Sequence, residues 1–397
     1  MVAAACGDDT ATVDETTDAP AADAPADAAA GADADAPIEL NEPVISSEIE
    51  SALRGDRTHG SFPDALIPLD RIRSGGPPPD GMPPIDAPTF LTVDEVDWLQ
   101  PTEPVIALEI DGDARAYPIQ ILMWHEIVND EVGGAPVTVA YCPLCNSALA
   151  YDRRLGDLVL DFGTSGELYN SSLVMYDRQT ESLWTHFDAA AVVGYLTGHR
   201  LTTYSIQTVS WDQFQAAHPD GLVLSRDTGW ARDYGRNPYE GYDTPDQRPF
   251  LFDGEQDDRL AWKQRVIVVR DAVEPAVVVR LDDTFEAGTV PFDAHGRSMI
   301  AVVQPGTSSP LSSNTTFDGY DQGSANVFVA ALDGAPVELS RTDDGTFIDA
   351  VSGIEFDVFG RAVDGSDARL ESVEQLDTFW FAIAAFEPDA EIIDIGG

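Results

Sequence analysis

Apolar residues in this chain come in runs of strand length, cut by Gly, Pro, Asp and Asn, and that punctuation limits what it can fold into. Pro104-Val105-Ile106-Ala107-Leu108-Glu109-Ile110, then Asp111-Gly112-Asp113, then Ala114-Arg115-Ala116-Tyr117, reads as a hairpin around an Asp-Gly turn. Residues 137–141, 148–151 and 158–162 read as further strands, the last two flanking Arg154-Leu155-Gly156-Asp157. Residues 172–176 and 183–187 follow in the same style. Residues 118–129 read as a short helix, with Pro118 in the first turn, Ile119, Leu122, Met123 and Ile127 near one face, and Gly133-Gly134 ending the region. Residues 74–84, Ser-Gly-Gly-Pro-Pro-Pro-Asp-Gly-Met-Pro-Pro, fit only a loop. No apolar run approaches the roughly 20 residues of a membrane-spanning helix. The fold class expected is α+β and β-rich, with a few short helices.

A degenerate internal repeat divides the globular part. Asp177-Arg178-Gln179-Thr180 with Trp184 and Phe187 matches Asp349-Ala350-Val351-Ser352 with Phe356 and Phe359 at a constant spacing of 172 residues. Trp211, Ala216, Pro219 and Asp220 match Trp380, Ala385, Pro388 and Asp389 at a spacing of 169. Val105-Ile106 resembles Val266-Ile267. Two related halves are expected, residues 44–258 and 259–397. The second has no cysteine and only His295, so any thiolate chemistry belongs to the first.

Ahead of both halves, residues 7–43 carry eleven Asp and Glu and no Lys or Arg, with little besides Ala, Thr and Pro. Such a segment buries too little apolar surface to offset its ordering entropy and reads as a disordered tether. It follows Met1-Val2-Ala3-Ala4-Ala5-Cys6-Gly7, which looks like the end of a bacterial lipoprotein signal with Cys6 as the lipidated residue. The expected location is extracytoplasmic, with membrane contact through the lipid alone. The formal net charge is −48, from 70 acidic and 22 basic residues, and it repels phosphate backbones and anionic lipid surfaces. Nucleic acid is therefore excluded as a partner.

Apart from Cys6, only Cys142 and Cys145 are cysteines, in Tyr141-Cys142-Pro143-Leu144-Cys145-Asn146-Ser147. A thiol-poor exported chain that keeps one C-x2-C pair keeps it for metal, redox chemistry or a disulfide. A strand precedes the pair and a turn and strand follow, which favours a metal knuckle over the helix-borne pair of thioredoxin-like proteins. Upstream stands Trp124-His125-Glu126-Ile127-Val128-Asn129-Asp130. Asn129 occupies the second His position of the zinc-protease motif, and on a helix Glu126 points about 100° away from His125. His125, Cys142 and Cys145, with His186 as a fourth, form a donor set suited to copper or zinc. Glu126 is the candidate proton-transfer group. Two alternatives stay open on the same cysteines: thiol–disulfide or metal-assisted redox catalysis, and a structural disulfide staple. Tyr234–Tyr242 is an aromatic turn fit to line a cleft, and Asp177-Arg178 with Thr180 and Trp184 reads as a buried salt-bridged turn. No P-loop, Gly-x-Gly-x-x-Gly or Gly-x-Ser-x-Gly element is present.

These blocks together with Asp80-Gly81-Met82-Pro83, Ala114-Arg115-Ala116-Tyr117-Pro118, Met175–Thr180, Tyr234-Gly235, Pro238-Tyr239, Gly241-Tyr242 and Phe379-Trp380-Phe381 resemble the bacterial and archaeal domain-of-unknown-function family 3179. The likeness spans roughly residues 70–388. It implies an exported bacterial protein in which the His125 and Cys142/Cys145 blocks matter, and it implies no reaction. Asn146 and Glu181 stand where the family pattern has Gly.

Overall fold

The computed structural model describes residues 50–394, and within them each of the four α-helices directly follows a strand. Strands β1 (Phe90–Thr92), β2 (Pro104–Ile110) and β3 (Asp113–Pro118) lead into α1 (Ile119–His125). The meander β4 (Ile127–Val132), β5 (Ala135–Cys142) and β6 (Ser147–Asp152) comes next. A second meander follows, β7 (Phe162–Tyr169), β8 (Ser172–Asp177), β9 (Leu183–Thr185) and β10 (Ala190–Val193). The half closes with β11 (Gln207–Ser210), α2 (Trp211–Ala217) and β12 (Leu222–Leu224). In space β11, β2, β3, β12 and β1 form one sheet in that order, with β3 and β12 parallel. The β2–β3 turn is the expected one: Asp111 at φ 50° and Gly112 at φ 84° are both left-handed, which matches the twist of a two-residue hairpin.

The helix is shorter than its apolar spacing suggests. It ends at His125, and Ile127 to Val132 pair with β5 instead, so Asn129 lies on a strand and shares no helical face with His125. Ile127 and Val128 are β-branched and Gly133-Gly134 turn the chain tightly, so strand pairing wins over one more helical turn.

From Arg265 the same order starts again. Strands β13 (Arg265–Val269) and β14 (Val277–Arg280) lead into α3 (Leu281–Ala287), then the meander β15 (Thr289–Ala294), β16 (Arg297–Gln304) and β17 (Ser324–Val329). The three-stranded β18 (Leu339–Arg341), β19 (Phe347–Asp349) and β20 (Glu355–Phe356) follows. Then come β21 (Gln375–Phe379), α4 (Trp380–Phe386) and β22 (Glu391–Ile392), with sheet order β21, β13, β14, β22 and the last pair parallel. The repeat holds at the level of single bonds. The Tyr141 amide donates to the Glu126 carbonyl at 2.8 Å, and Val303 donates to Gly288 at 3.1 Å. Asp177 accepts from the Thr180 amide and hydroxyl as Asp349 accepts from those of Ser352. Arg178 takes no part in that turn: it reaches Asp86 at 2.7 Å and Asp80 at 3.3 Å, so the expected salt-bridged turn is a hydrogen-bonded one. One core cluster takes Ile106, Val139 and Trp184 from the first half and Val266, Phe379 and Trp380 from the second. Among the described residues no helix is long and apolar enough to cross a membrane.

The two departures from the family's glycines both fall on left-handed backbone, Asn146 at φ 50° and Glu181 at φ 52°. Glu181 has Gly353 as its counterpart, at φ 75°, and each amide donates to the preceding Asp carbonyl at 2.8 Å. Replacing Glu181 by Gly is expected to raise unfolding free energy by about 0.5–1 kcal/mol, since the Arg54 ion pair it loses is exposed and worth little. A urea midpoint that falls instead would show that the ion pair outweighs the backbone strain.

Candidate functional site

The C-x2-C pair sits in a tight turn between two antiparallel strands, the setting of a knuckle. Cys142 ends β5, Ser147 opposite it opens β6, and Asn146 bends the connection and accepts from the Tyr141 hydroxyl at 2.9 Å. Both cysteines are free thiols, 2% and 0% exposed, and their Sγ atoms share a hydrogen bond at 3.3 Å. The second half clamps the turn: the Phe379 amide and the Thr378 hydroxyl both donate to the Cys145 carbonyl at 3.0 Å.

The two sulfurs differ electrostatically. Burial pushes the Cys142 thiol up, but its contact with the Cys145 sulfur and the amides of Leu173, Cys145 and Leu144 bring it below the ordinary thiol range. Cys145 is driven upward by burial and by its neighbour's sulfur, against the hydroxyls of Ser172 and Ser147. Cys142 is thus the more readily ionised of the two.

Glu126 is the third member. It caps α1 at φ 59°, ψ −32°, a conformation that disfavours any side chain, and its counterpart 162 residues on is Gly288 at φ 83°, ψ −44°. Holding a glutamate there costs of order 1–3 kcal/mol. Burial, and then the Cys142 sulfur, push that carboxyl up to about 8. It faces a cavity of about 360 Å³ whose walls include Met123, Trp124, Leu144, Leu173 and Tyr239. Leu144 belongs to the cysteine turn itself. The Tyr234–Tyr242 segment lines a cleft as expected, with Tyr239 and Tyr242 on this cavity. Lys263, the single lysine, lies 1% exposed behind Tyr242, its Nζ 3.4 Å from the ring centre and donating to Gln247 at 2.9 Å. Burial lowers it to about 8.

The structure does not bring His125 to the sulfurs. Its Nδ1 lies 2.7 Å from the Pro83 carbonyl, which can only accept, so Nδ1 carries the proton and Nε2 accepts from the Tyr234 hydroxyl at 2.6 Å. Both nitrogens are used, and burial lowers the ring to about 4. His186 does approach the pair, through Ser147: its Nε2 lies 3.1 Å from Ser147 Oγ, which also reaches the Cys145 thiol. Its Nδ1 meets the Tyr151 hydroxyl at 3.2 Å, and burial lowers it to about 3. Among the described residues no group of three or more His, Cys, Asp and Glu side chains converges where a metal ion would sit. The expected joint set of His125, Cys142 and Cys145 is therefore not assembled: the two nitrogens of His125 are held by Pro83 and Tyr234. Cys6 and the 7–43 tether lie outside the described residues. Ser147 and Tyr234 escaped the sequence reading as site residues; only the aromatic-rich turn signalled the second.

A family model described as "Protein of unknown function (DUF3179)" matches residues 79–390. No curated protein and no solved structure matches the chain.

Proposed function

Since this chain belongs to the DUF3179 family, whose activity is not established, we propose from its cysteine turn that it is an exported thiol–disulfide redox protein. The observation that carries the reading is the contact of two free thiols at 3.3 Å in a turn whose Leu144 lines the same cavity as Glu126. In this reading the Cys142 thiolate attacks a substrate disulfide, forming a mixed disulfide and expelling one substrate thiolate, which takes up a proton. Cys145 then loses its proton, with Ser147 and Glu126 as nearby proton holders, and attacks Cys142 Sγ. The Cys142–Cys145 disulfide forms and the second substrate thiol leaves. Two electrons pass from the protein to the substrate, and the reverse sequence returns them. The apolar cavity suits a small substrate that enters past Leu144. Location outside the cytoplasm, through the expected lipid on Cys6 and the 7–43 tether, would put this pair where disulfides persist.

A second reading concerns metal. Two thiolates with amides donating to one of them suit a two-coordinate soft ion such as Cu(I), whereas zinc needs further ligands that neither His125 nor His186 has a nitrogen left to supply.

The single-cysteine variants test the reading. In Cys145→Ser, Cys142 is expected to form a stable mixed disulfide with a small aromatic disulfide and to be alkylated with an apparent pKa below about 8.5. In Cys142→Ser, Cys145 should react at least about tenfold more slowly at pH 7. Equal reactivity of the two thiols would overturn the assignment. Stoichiometric retention of copper by the wild type, with no reversible disulfide, would replace it by the metal reading.

A further inference from the structure

His125 and Glu126 are consecutive, yet they serve different cavities. Glu126 faces the apolar one; His125 reaches, through Tyr234, a polar cleft of about 600 Å³ on the other side of the Tyr234–Tyr242 segment. Pro238 and Glu240 line both. We infer that this polar cleft is a separate binding site for a small hydroxy-carboxylate, whose carboxylate pairs with Arg226 and whose hydroxyl donates to the Tyr234 oxygen.

Arg226 is the anchor. Among the described residues it has no carboxylate partner at ion-pair distance, although the chain carries 70 acidic residues. Its Nε and Nη2 both donate to the Gln120 side-chain carbonyl, the first at 3.0 Å, and the guanidinium lies on the Trp98 ring at 4.3 Å. Nη1 makes no hydrogen bond to any described residue, so one edge of the planar fork is left for a ligand. The mount is rigid. Gln120 is fully buried and donates to Glu103 at 2.6 Å, and Glu103, also fully buried, accepts at 2.6 Å from Thr316 of the second half. Gly235, at φ 93°, turns the chain beside the fork in a backbone conformation that favours glycine.

Tyr234 sets the second requirement. Its single proton goes to His125 Nε2, since Nδ1 is committed to the Pro83 carbonyl, and Thr228 Oγ1 therefore donates to it at 2.6 Å. What Tyr234 still offers the cleft is an acceptor lone pair, which calls for a donor on the ligand. Glu103, Asp233 and Glu240 stand at the cleft against Arg226 and Arg236, a balance that disfavours a doubly charged anion, while Trp98 and Phe317 give it apolar faces. A single carboxylate with a neighbouring hydroxyl meets all of these conditions. The second half supplies this wall because residues 305–323 replace the four-residue cysteine turn at the equivalent place between β16 and β17.

The inference stands independently of the cysteines and is tested by calorimetric titration of the full chain with mandelate and lactate. Each is compared with its counterpart lacking the hydroxyl (phenylacetate, propionate) or the charge (mandelamide, lactamide). At least one hydroxy acid is expected to bind with a Kd below about 10 mM, and each of its two counterparts at least about tenfold more weakly. Arg226→Gln should remove that preference for charge, and Arg226→Lys should restore only part of it. Tyr234→Phe, which keeps the ring packing, should bring the hydroxy and deoxy acids closer together. No binding of either hydroxy acid by about 50 mM, equal binding of the amides, or unchanged binding in folded Arg226→Gln overturns the site.

Discussion

Replacing Glu126 by Gln is expected to remove an alkaline loss of stability that the wild type shows between about pH 5 and pH 8. The carboxyl has an ordinary value of 4.5 and is raised to about 8 in the fold, first by burial and then by Cys142. Between those values the folded protein holds a proton that the unfolded chain has released. The stabilisation is therefore complete below the unfolded pKa and is lost as pH rises through the folded one. The size is a few kcal/mol, with roughly 5 kcal/mol as the ceiling for a shift of this order. Histidines act in the opposite sense: His125 and His218, lowered to about 4, and His186, lowered to about 3, contribute stability above the ordinary value of 6.5 that is lost as pH falls. The wild-type profile should thus fall on both sides of a near-neutral maximum. The difference between variant and wild type isolates Glu126. Urea unfolding at pH 5 and pH 8.5 should show Glu126→Gln gaining on the wild type at the higher pH. A difference that does not change with pH would mean the carboxyl is ionised throughout and is no proton holder.

The second large effect is expected at Asp177. Its carboxylate is fully buried and accepts from the Thr180 amide at 2.6 Å, the Thr180 hydroxyl at 2.9 Å and the Trp184 indole at 2.9 Å. Burial pushes its pKa up against those donors. Asp177→Ala leaves the Thr180 amide and the Trp184 indole without an acceptor, while the Thr180 hydroxyl keeps Ser182 Oγ at 2.8 Å, and is expected to cost about 3–5 kcal/mol. Asp349 makes the same turn with Ser352, but Phe356 stands where Trp184 does, so no indole is orphaned. There burial opposes and the Ser352 and Glu338 donors prevail, so the pKa falls. Asp349→Ala should cost about 1–2 kcal/mol. Equal losses in the two variants would mean that the indole bond contributes nothing.

The repeat and the hairpins were legible because they rest on local chemistry. An Asp-Gly pair sets a two-residue turn wherever strands flank it, and an Asp followed three residues on by Ser or Thr bonds its own backbone. The knuckle was legible too, since a strand enters Cys142 and a strand leaves Ser147. The end of α1 was not. Periodicity cannot tell one more helical turn from a β-branched strand start at Ile127, and that choice decides where the His125 ring lies. His125 therefore looked like a partner of the sulfurs when its nitrogens belong to Pro83 and Tyr234, residues 42 before it and 109 after it in the chain. Glu126 shows the reverse case. Its place beside the cysteine turn followed from the sequence, but its left-handed backbone, shared with Gly288 at the end of α3, belongs to the helix end that periodicity misplaced.

The measurement that bears most directly on the thiol–disulfide reading is a redox titration of the folded protein in dithiothreitol buffers at pH 7, with thiols counted by alkylation and mass. Cys142 and Cys145 should be lost together and recovered together along a two-electron curve, with a tenfold change in the buffer ratio for about every 30 mV. Thiols that stay reduced until the protein unfolds, or that disappear one at a time, would contradict it.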